Sequence, residues 1–193
     1  MLYSVAHVLR GEAYEYHRSL ARELTRRYAT SDWHERDVPH VTIKLPFEAN
    51  DYEIMRVEAT LDAFAARSAP ESFVIEGFGR FGIKTAYLDV VKSHTARMVV
   101  RGIIDDLRAL PTMTEKSYEG AKLHVSVARF MTHRQSYRVW RHLRHEHPHF
   151  KQRLDTLTLL RKDPVQRVWE VHNEFVLAPN FIPQVFVPAT LTV

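Results

Sequence analysis

The chain has 193 residues, 45% of them hydrophobic and 26% charged, the balance of a folded globular protein and not of a disordered one. It contains no cysteine, which excludes disulfides, thiolate zinc sites and cysteine nucleophiles. With a formal charge of +4, no run of 18 apolar residues and no signal-like N-terminus, it is expected to be cytoplasmic, with a mild preference for polyanionic partners.

Leu2 to Leu9 reads as a strand, and Ala13 to Tyr28 as an amphipathic helix with Tyr16, Leu20, Leu24 and Tyr28 on one side. A loop from Thr30 to Pro39 enters a second strand, Val38 to Phe47. Asp51 is placed as the N-cap of a helix that runs through Ile54, Val57, Leu61 and Phe64 to Ala66, and Ser72 to Arg80 as a strand ended by glycines. The same order then starts again. Thr85 to Val91 is a strand, Thr95 to Leu110 a helix stopped by Pro111, and Pro111 to Ala121 a loop into the strand Lys122 to Phe130. A helix His133 to Arg144, a strand Arg153 to Arg161 and a closing strand Arg167 to Leu177 follow. The stretch from Ala178 to Val193 is an apolar tail in which Pro179, Pro183 and Pro188 prevent regular helix. The expected fold is α+β: a duplicated βαβαβ unit in one domain over residues 1–178, with lobes of about 1–82 and 83–178 flanking a central groove and exchange of strands between them allowed.

Inside the repeat the same tetrapeptide occurs twice, 84 positions apart: His40-Val41-Thr42-Ile43 and His124-Val125-Ser126-Val127. In a strand, the first and third side chains share a face, so each copy presents an imidazole beside a hydroxyl. Packing the two lobes together brings His40 and His124 to opposite walls of one groove. Two imidazoles with ordinary pKa values near 6.5 suit the acid/base opening of a phosphodiester, one ring taking a proton while the other gives one, without metal or cofactor.

These motifs resemble those of the 2H phosphoesterases, and within them the 2′-5′ RNA ligases or RNA 2′,3′-cyclic phosphodiesterases. Pro39 to Phe47 is similar to the first family motif with its flank. Leu123 to Arg129 is similar to the second, with Ser126 in place of the commoner threonine and an arginine five residues after the histidine. The likeness runs from Leu2 to about Leu177. It implies a two-lobed LigT-like fold with antiparallel sheets, and metal-independent hydrolysis of 2′,3′-cyclic phosphodiesters at RNA ends or on small nucleotides. It also implies ATP-independent 2′-5′ ligation as the reverse reaction. By the same resemblance His40 is the acid and His124 the base, and Thr42, Ser126, Lys44 and Arg129 hold the phosphate. Lys44 shares a face with His40 and Thr42 in a regular strand. Arg129 is one position out of phase with His124 and Ser126 unless its strand is bulged. Another phosphodiester, such as 2′-5′ oligoadenylate or ADP-ribose cyclic phosphate, is the alternative substrate, and a non-catalytic RNA or nucleotide binder the alternative class.

Trp33 and Tyr118, in the two entry loops, are candidates for base stacking. Arg134, Arg138, Arg141 and Arg144 recur near helical spacing as a basic stripe suited to RNA backbone. His142, His145, His147 and His149 with Glu146 are the densest histidine cluster, but Pro148 breaks the helix there and the spacing is not that of structural zinc, so no metal site is assigned. No Walker-type phosphate loop and no lysyl-adenylate motif is present, which leaves the ATP-dependent ligase chemistries without their residues.

Overall fold

A computed structural model describes residues 1–111, 113 and 120–178, the side chains of residues 34 and 35 excepted. Tyr118 and the tail from residue 179 lie outside the described residues. Among the described residues no helix is long and apolar enough to cross a membrane.

The elements in chain order are β1 Leu2–Val8, α1 Gly11–Tyr28, α2 Trp33–Arg36, β2 His40–Glu48, α3 Asp51–Ala66, β3 Glu71–Phe81 and β4 Thr85–Lys92. There follow α4 His94–Arg108, β5 His124–Ala128, α5 His133–Leu143, β6 His149–Leu154, β7 Thr156–Lys162 and β8 Trp169–Val176. They form two four-stranded sheets, ordered β2-β1-β7-β8 and β5-β4-β3-β6, in which every pairing is antiparallel. The duplication is visible in these orders, since β2, β1 and β7 hold the places in one sheet that β5, β4 and β3 hold in the other. The third strand of each half has crossed over, β3 pairing with β4 and β7 with β1. Each motif strand is thereby left at an edge of its sheet, and the two edges approach each other.

Three sequence readings are corrected. The run expected as one strand, Arg153 to Arg161, is two strands in different sheets, with Asp155 the single residue between them. The chain stays extended as it changes sheets, so the hydrophobic alternation carries no mark of the switch, while the Asp155 carbonyl is taken by Leu177 N–H at 2.8 Å. The cap of α3 is Asn50 and not Asp51: the Asn50 side chain accepts from Tyr52 and Glu53 N–H, and Glu53 closes a capping box on the Asn50 N–H at 2.9 Å. Such a cap contributes about 1 kcal/mol. The loop after α1 contains the short helix α2, too brief to show a period.

One large core, with Val5, Leu24, Leu61, Ile75, Leu88, Ile103 and Leu157 fully buried, joins both sheets to the helices that cover them. Buried His7 donates its Nδ1 proton to the Thr156 carbonyl at 3.2 Å and rests edge-on against Phe73, tying β1 to β7 and to the other sheet. The shared core sets the two edge strands beside each other, the placement an acid/base pair requires.

Candidate active site

His40 and His124 line one cleft, together with Thr42, Ser126, Arg129, Trp33, Asp37 and His17, around about 370 Å³ of open space. Each motif histidine is the first residue of its strand, and each makes the same local bond. His40 Nδ1 lies 2.6 Å from the Val38 carbonyl and His124 Nδ1 3.2 Å from the Lys122 carbonyl, in both cases two residues back. A carbonyl can only accept, so Nδ1 must carry the proton and Nε2 is left, in each ring, as the nitrogen that exchanges protons.

The hydroxyl and cation positions follow from strand register. In β2, Thr42 stands opposite Ala6 but Lys44 opposite Val5, Ile43 being the extra residue of a bulge. Ala6 and Val5 point to opposite faces of β1. Lys44 therefore turns away from the face of His40 and Thr42; it is 3% exposed and does not line the cleft. This corrects the regular-strand expectation for Lys44. In β5 the bulge falls at the equivalent place, with Ser126 opposite Tyr87, Ala128 opposite Ala86, and Val127 extra. There it has the opposite consequence, for it restores Arg129 to the face of His124 and Ser126, and Arg129 lines the cleft. By the repeat offset Arg129 corresponds to Leu45 and Lys44 to Ala128, so among the described residues lining the cleft Arg129 is the one arginine or lysine, and it lies on one side.

A second asymmetry concerns the rings. Opposite His124 in the sheet stands Asp89, ion-paired with Lys122 at 2.5 Å, whereas opposite His40 stands Val8. Burial pushes the His40 pKa down from 6.5 to about 4, helped by the Arg129 charge and by His124. His124 is lowered as well, chiefly by burial and also by Arg129, but Asp89 works against the shift. Both rings therefore favour the neutral form at pH 7 in the free protein, contrary to the ordinary values expected, so an acid role for either ring needs the substrate's phosphate to supply the stabilising negative charge.

Two members of the cleft, His17 and Asp37, were not singled out from sequence, whereas Trp33 was. His17, 2% exposed, comes from the apolar stripe of α1 formed by Ala13, Leu20, Ala21 and Leu24, and donates Nε2–H to the Ser126 carbonyl at 2.8 Å. Desolvation holds its pKa at about 4, so it is a neutral strut under β5. Its signal in the sequence was a histidine at a core position of an amphipathic helix. Asp37, 4% exposed, accepts from Trp169 N–H at 2.7 Å, and burial raises its carboxyl to about 6 against the pull of Arg129 and Lys162. Trp33 lines the cleft with the Arg129 guanidinium carbon 5.2 Å from its ring centroid, and its indole donates to the Arg167 carbonyl at 3.4 Å.

Beside His124 the cleft opens into a mainly apolar recess of about 750 Å³, lined by Thr42, Ile43, Leu45, Phe81 and the chain from Gly120 to Lys122. Phe81 packs edge-on to the His124 ring at 4.8 Å and Tyr87 tilts against it at 5.1 Å. Tyr87 can lie there because Gly79 pairs with it across the sheet; a Cβ on Gly79 would sit 2.3 Å from the Tyr87 ring. The histidine cluster of α5 and β6 is spread out: His142 faces Glu23 at 3.6 Å, His149 faces Glu76 at 3.8 Å, and His145 Nε2 accepts from Arg144 at 3.0 Å.

The model of the 2′-5′ RNA ligase superfamily matches residues 14–166. The chain belongs to that superfamily. No curated protein matches it in sequence. Its fold is similar to that of solved structures: TT0787 of Thermus thermophilus superposes with a TM-score of 0.60 over 92% of this chain and 98% of that one, at 16% identity. Escherichia coli LigT, crystallised with 3′-AMP, gives a TM-score of 0.58 over 91% of this chain and 97% of that one, at 8% identity. With so little identity these likenesses carry the two-lobed architecture alone.

Proposed function

We propose that this superfamily member opens 2′,3′-cyclic phosphodiesters at RNA ends or on small nucleotides by a metal-independent, two-histidine mechanism. The observation that supports the reading is the matched pair of Nδ1-to-carbonyl bonds, which leaves Nε2 as the proton-exchanging nitrogen of two histidines, His40 and His124, that line one cleft. In the forward direction a water oxygen attacks phosphorus and gives its proton to Nε2 of the neutral imidazole. The P–O bond to the ribose oxygen breaks, and that oxygen takes the proton from Nε2 of the imidazolium. With His124 as base and His40 as acid, as the resemblance implies, a 2′-phosphate remains. Charge developing on the non-bridging oxygens is met by Arg129 and by the hydroxyls of Thr42 and Ser126, donors already in place before reaction. Lys44 has no part in this. The substrate's own negative charge raises the pKa of the ring it approaches, which makes the acid available only once substrate is bound.

The apolar recess with Phe81 at its mouth is suited to a base, whose ring system would lie next to the ribose oxygen that His124 or His40 serves. If an RNA 5′-hydroxyl replaces water as the nucleophile, it attacks the same phosphorus, gives its proton to the base, and the ribose 3′-oxygen leaves with the acid's proton, so the same groups form a 2′-5′ linkage. That E. coli LigT has been crystallised with 3′-AMP supports a nucleotide-sized occupant here too.

The test is turnover, in EDTA, of an oligonucleotide ending in a 2′,3′-cyclic phosphate, compared with 2′-5′ oligoadenylate and ADP-ribose 1″,2″-cyclic phosphate. Conversion of the first to a 2′-phosphate is expected. Preference for either of the others would move the substrate assignment, and tight binding of a nucleoside 2′-monophosphate with turnover of none would make the chain a binder.

A further inference from the structure

From Arg129 to His145 the chain contains five arginines and no carboxylate. Within α5, Ser136, Val139 and Leu143 are buried and fix the helix's inner face. The outer face therefore presents Arg134, Tyr137, Arg138 and Arg141, spaced i, i+3, i+4 and i+7, as one exposed stripe about 10 Å long. Tyr137 is 70% exposed in the middle of it. Several arginines elsewhere on the surface carry carboxylate partners, as Arg10 does with Glu174, Arg27 with Glu23 and Arg161 with Glu170, while others, such as Arg56, Arg97 and Arg153, have none among the described residues. Among the described residues Arg134, Arg138 and Arg141 have none; Arg138 instead lies over the Tyr28 ring, 5.3 Å from its centroid.

The stripe begins where the cleft ends. Arg129 lines the cleft, and the next residue, Phe130, is 75% exposed and held at φ 57°, a left-handed conformation that a bulky side chain rarely adopts. Its ring stands 6.4 Å from that of Trp33. The Thr132–Gln135 capping box then starts α5, and the Gln135 amide donates to the Ala29 carbonyl, fixing the helix to the end of α1. Beyond Arg129, exposed aromatic rings alternating with the α5 guanidiniums, which have no carboxylate partner among the described residues, thus continue the chain away from the cleft.

We infer that this face, Phe130 with the outer stripe of α5, binds the single-stranded RNA segment upstream of the reacting end. Arginines take its phosphates, and Phe130 and Tyr137 stack its bases. A lone basic helix face is compatible with any polyanion; the exposed aromatics interleaved with the cations select a single strand, whose bases are free to stack. The inference rests on the proposed RNA-end chemistry for its direction, and it makes the preferred substrate an oligonucleotide over a mononucleotide.

The test uses the full chain carrying Arg134→Gln, Arg138→Gln and Arg141→Gln together, and separately Tyr137→Ala, all at exposed positions. Binding of a short unstructured oligoribonucleotide, read by fluorescence anisotropy, should weaken about tenfold or more in the triple variant. The slope of log affinity against log salt should fall by about 2, the value for three phosphates on a single strand. Tyr137→Ala should weaken binding without changing the slope. Hydrolysis of a nucleoside 2′,3′-cyclic phosphate should be unchanged in both. Unchanged oligonucleotide affinity and slope would overturn the inference, as would an equal loss on the small substrate, or lost retention on anionic lipid vesicles with RNA binding intact. If the parent protein turns over neither substrate but the binding losses appear, the chemistry proposed for the cleft fails and the RNA face stands.

Discussion

Asp37→Asn is expected to make the protein more stable and less active. The carboxyl is 4% exposed, and its pKa is raised from 3.8 to about 6 even with the attraction of Arg129 and Lys162 included. A folded-state value above the unfolded one means that ionised Asp37 weakens the fold. The penalty is complete above pH 6 and disappears as pH falls toward 3.8. The interval between 3.8 and about 6 corresponds to about 3 kcal/mol at pH 8 and about half of that at pH 5. Asparagine keeps an oxygen for Trp169 N–H, so the variant resembles the protonated acid and should gain these amounts. Urea unfolding at pH 8 and pH 5 measures both. Turnover should fall in the same variant, because Arg129 loses the negative neighbour that holds its charge in a half-buried place. A variant less stable than its parent at pH 8, or a gain equal at the two pH values, would refute the reasoning.

Other outcomes follow from the asymmetry of the cleft. Proton NMR titration should find both motif histidines below 6.5, with His40 near 4, and a bound nucleoside 2′-monophosphate should raise both. Because a lowered histidine value stabilises the neutral form, the part of the stability due to His40 and His17 should be present above pH 6.5 and lost as pH falls toward 4. Arg129→Leu, which copies the residue at the equivalent place in β2, should leave the fold intact and lower kcat/KM about 100-fold, measured on a 2′,3′-cyclic phosphate. Gly79→Ala should cost about 1–3 kcal/mol in thermal unfolding and displace the Tyr87 ring from His124, visible as a changed His124 pKa.

The paired motifs and the duplicated element order could be read from the chain because both rest on period: the two-residue alternation of a strand and the repetition of whole units. Both motif strands and the helices α1, α3, α4 and α5 stand within a few residues of where hydrophobic spacing put them. What the period could not carry was a change of phase. The bulges at Ile43 and Val127 leave no mark in composition, yet they decide that Lys44 turns into the core and Arg129 into the cleft. The step from β6 to β7 at Asp155 was hidden for the same reason. Burial was hidden as well, since nothing local to His40 tells that its ring is desolvated by tertiary packing. His17 and Asp37 belong to the cleft through that packing alone, and a histidine on the apolar face of α1 is ordinarily a core residue.

The account stands on one pair of imidazoles acting together. The most direct measurement is the rate of hydrolysis of a 2′,3′-cyclic-phosphate oligonucleotide, in EDTA, by the parent protein, His40→Ala and His124→Ala. Each substitution should lower the rate by a factor of about 100 or more. Activity retained in both variants would contradict it.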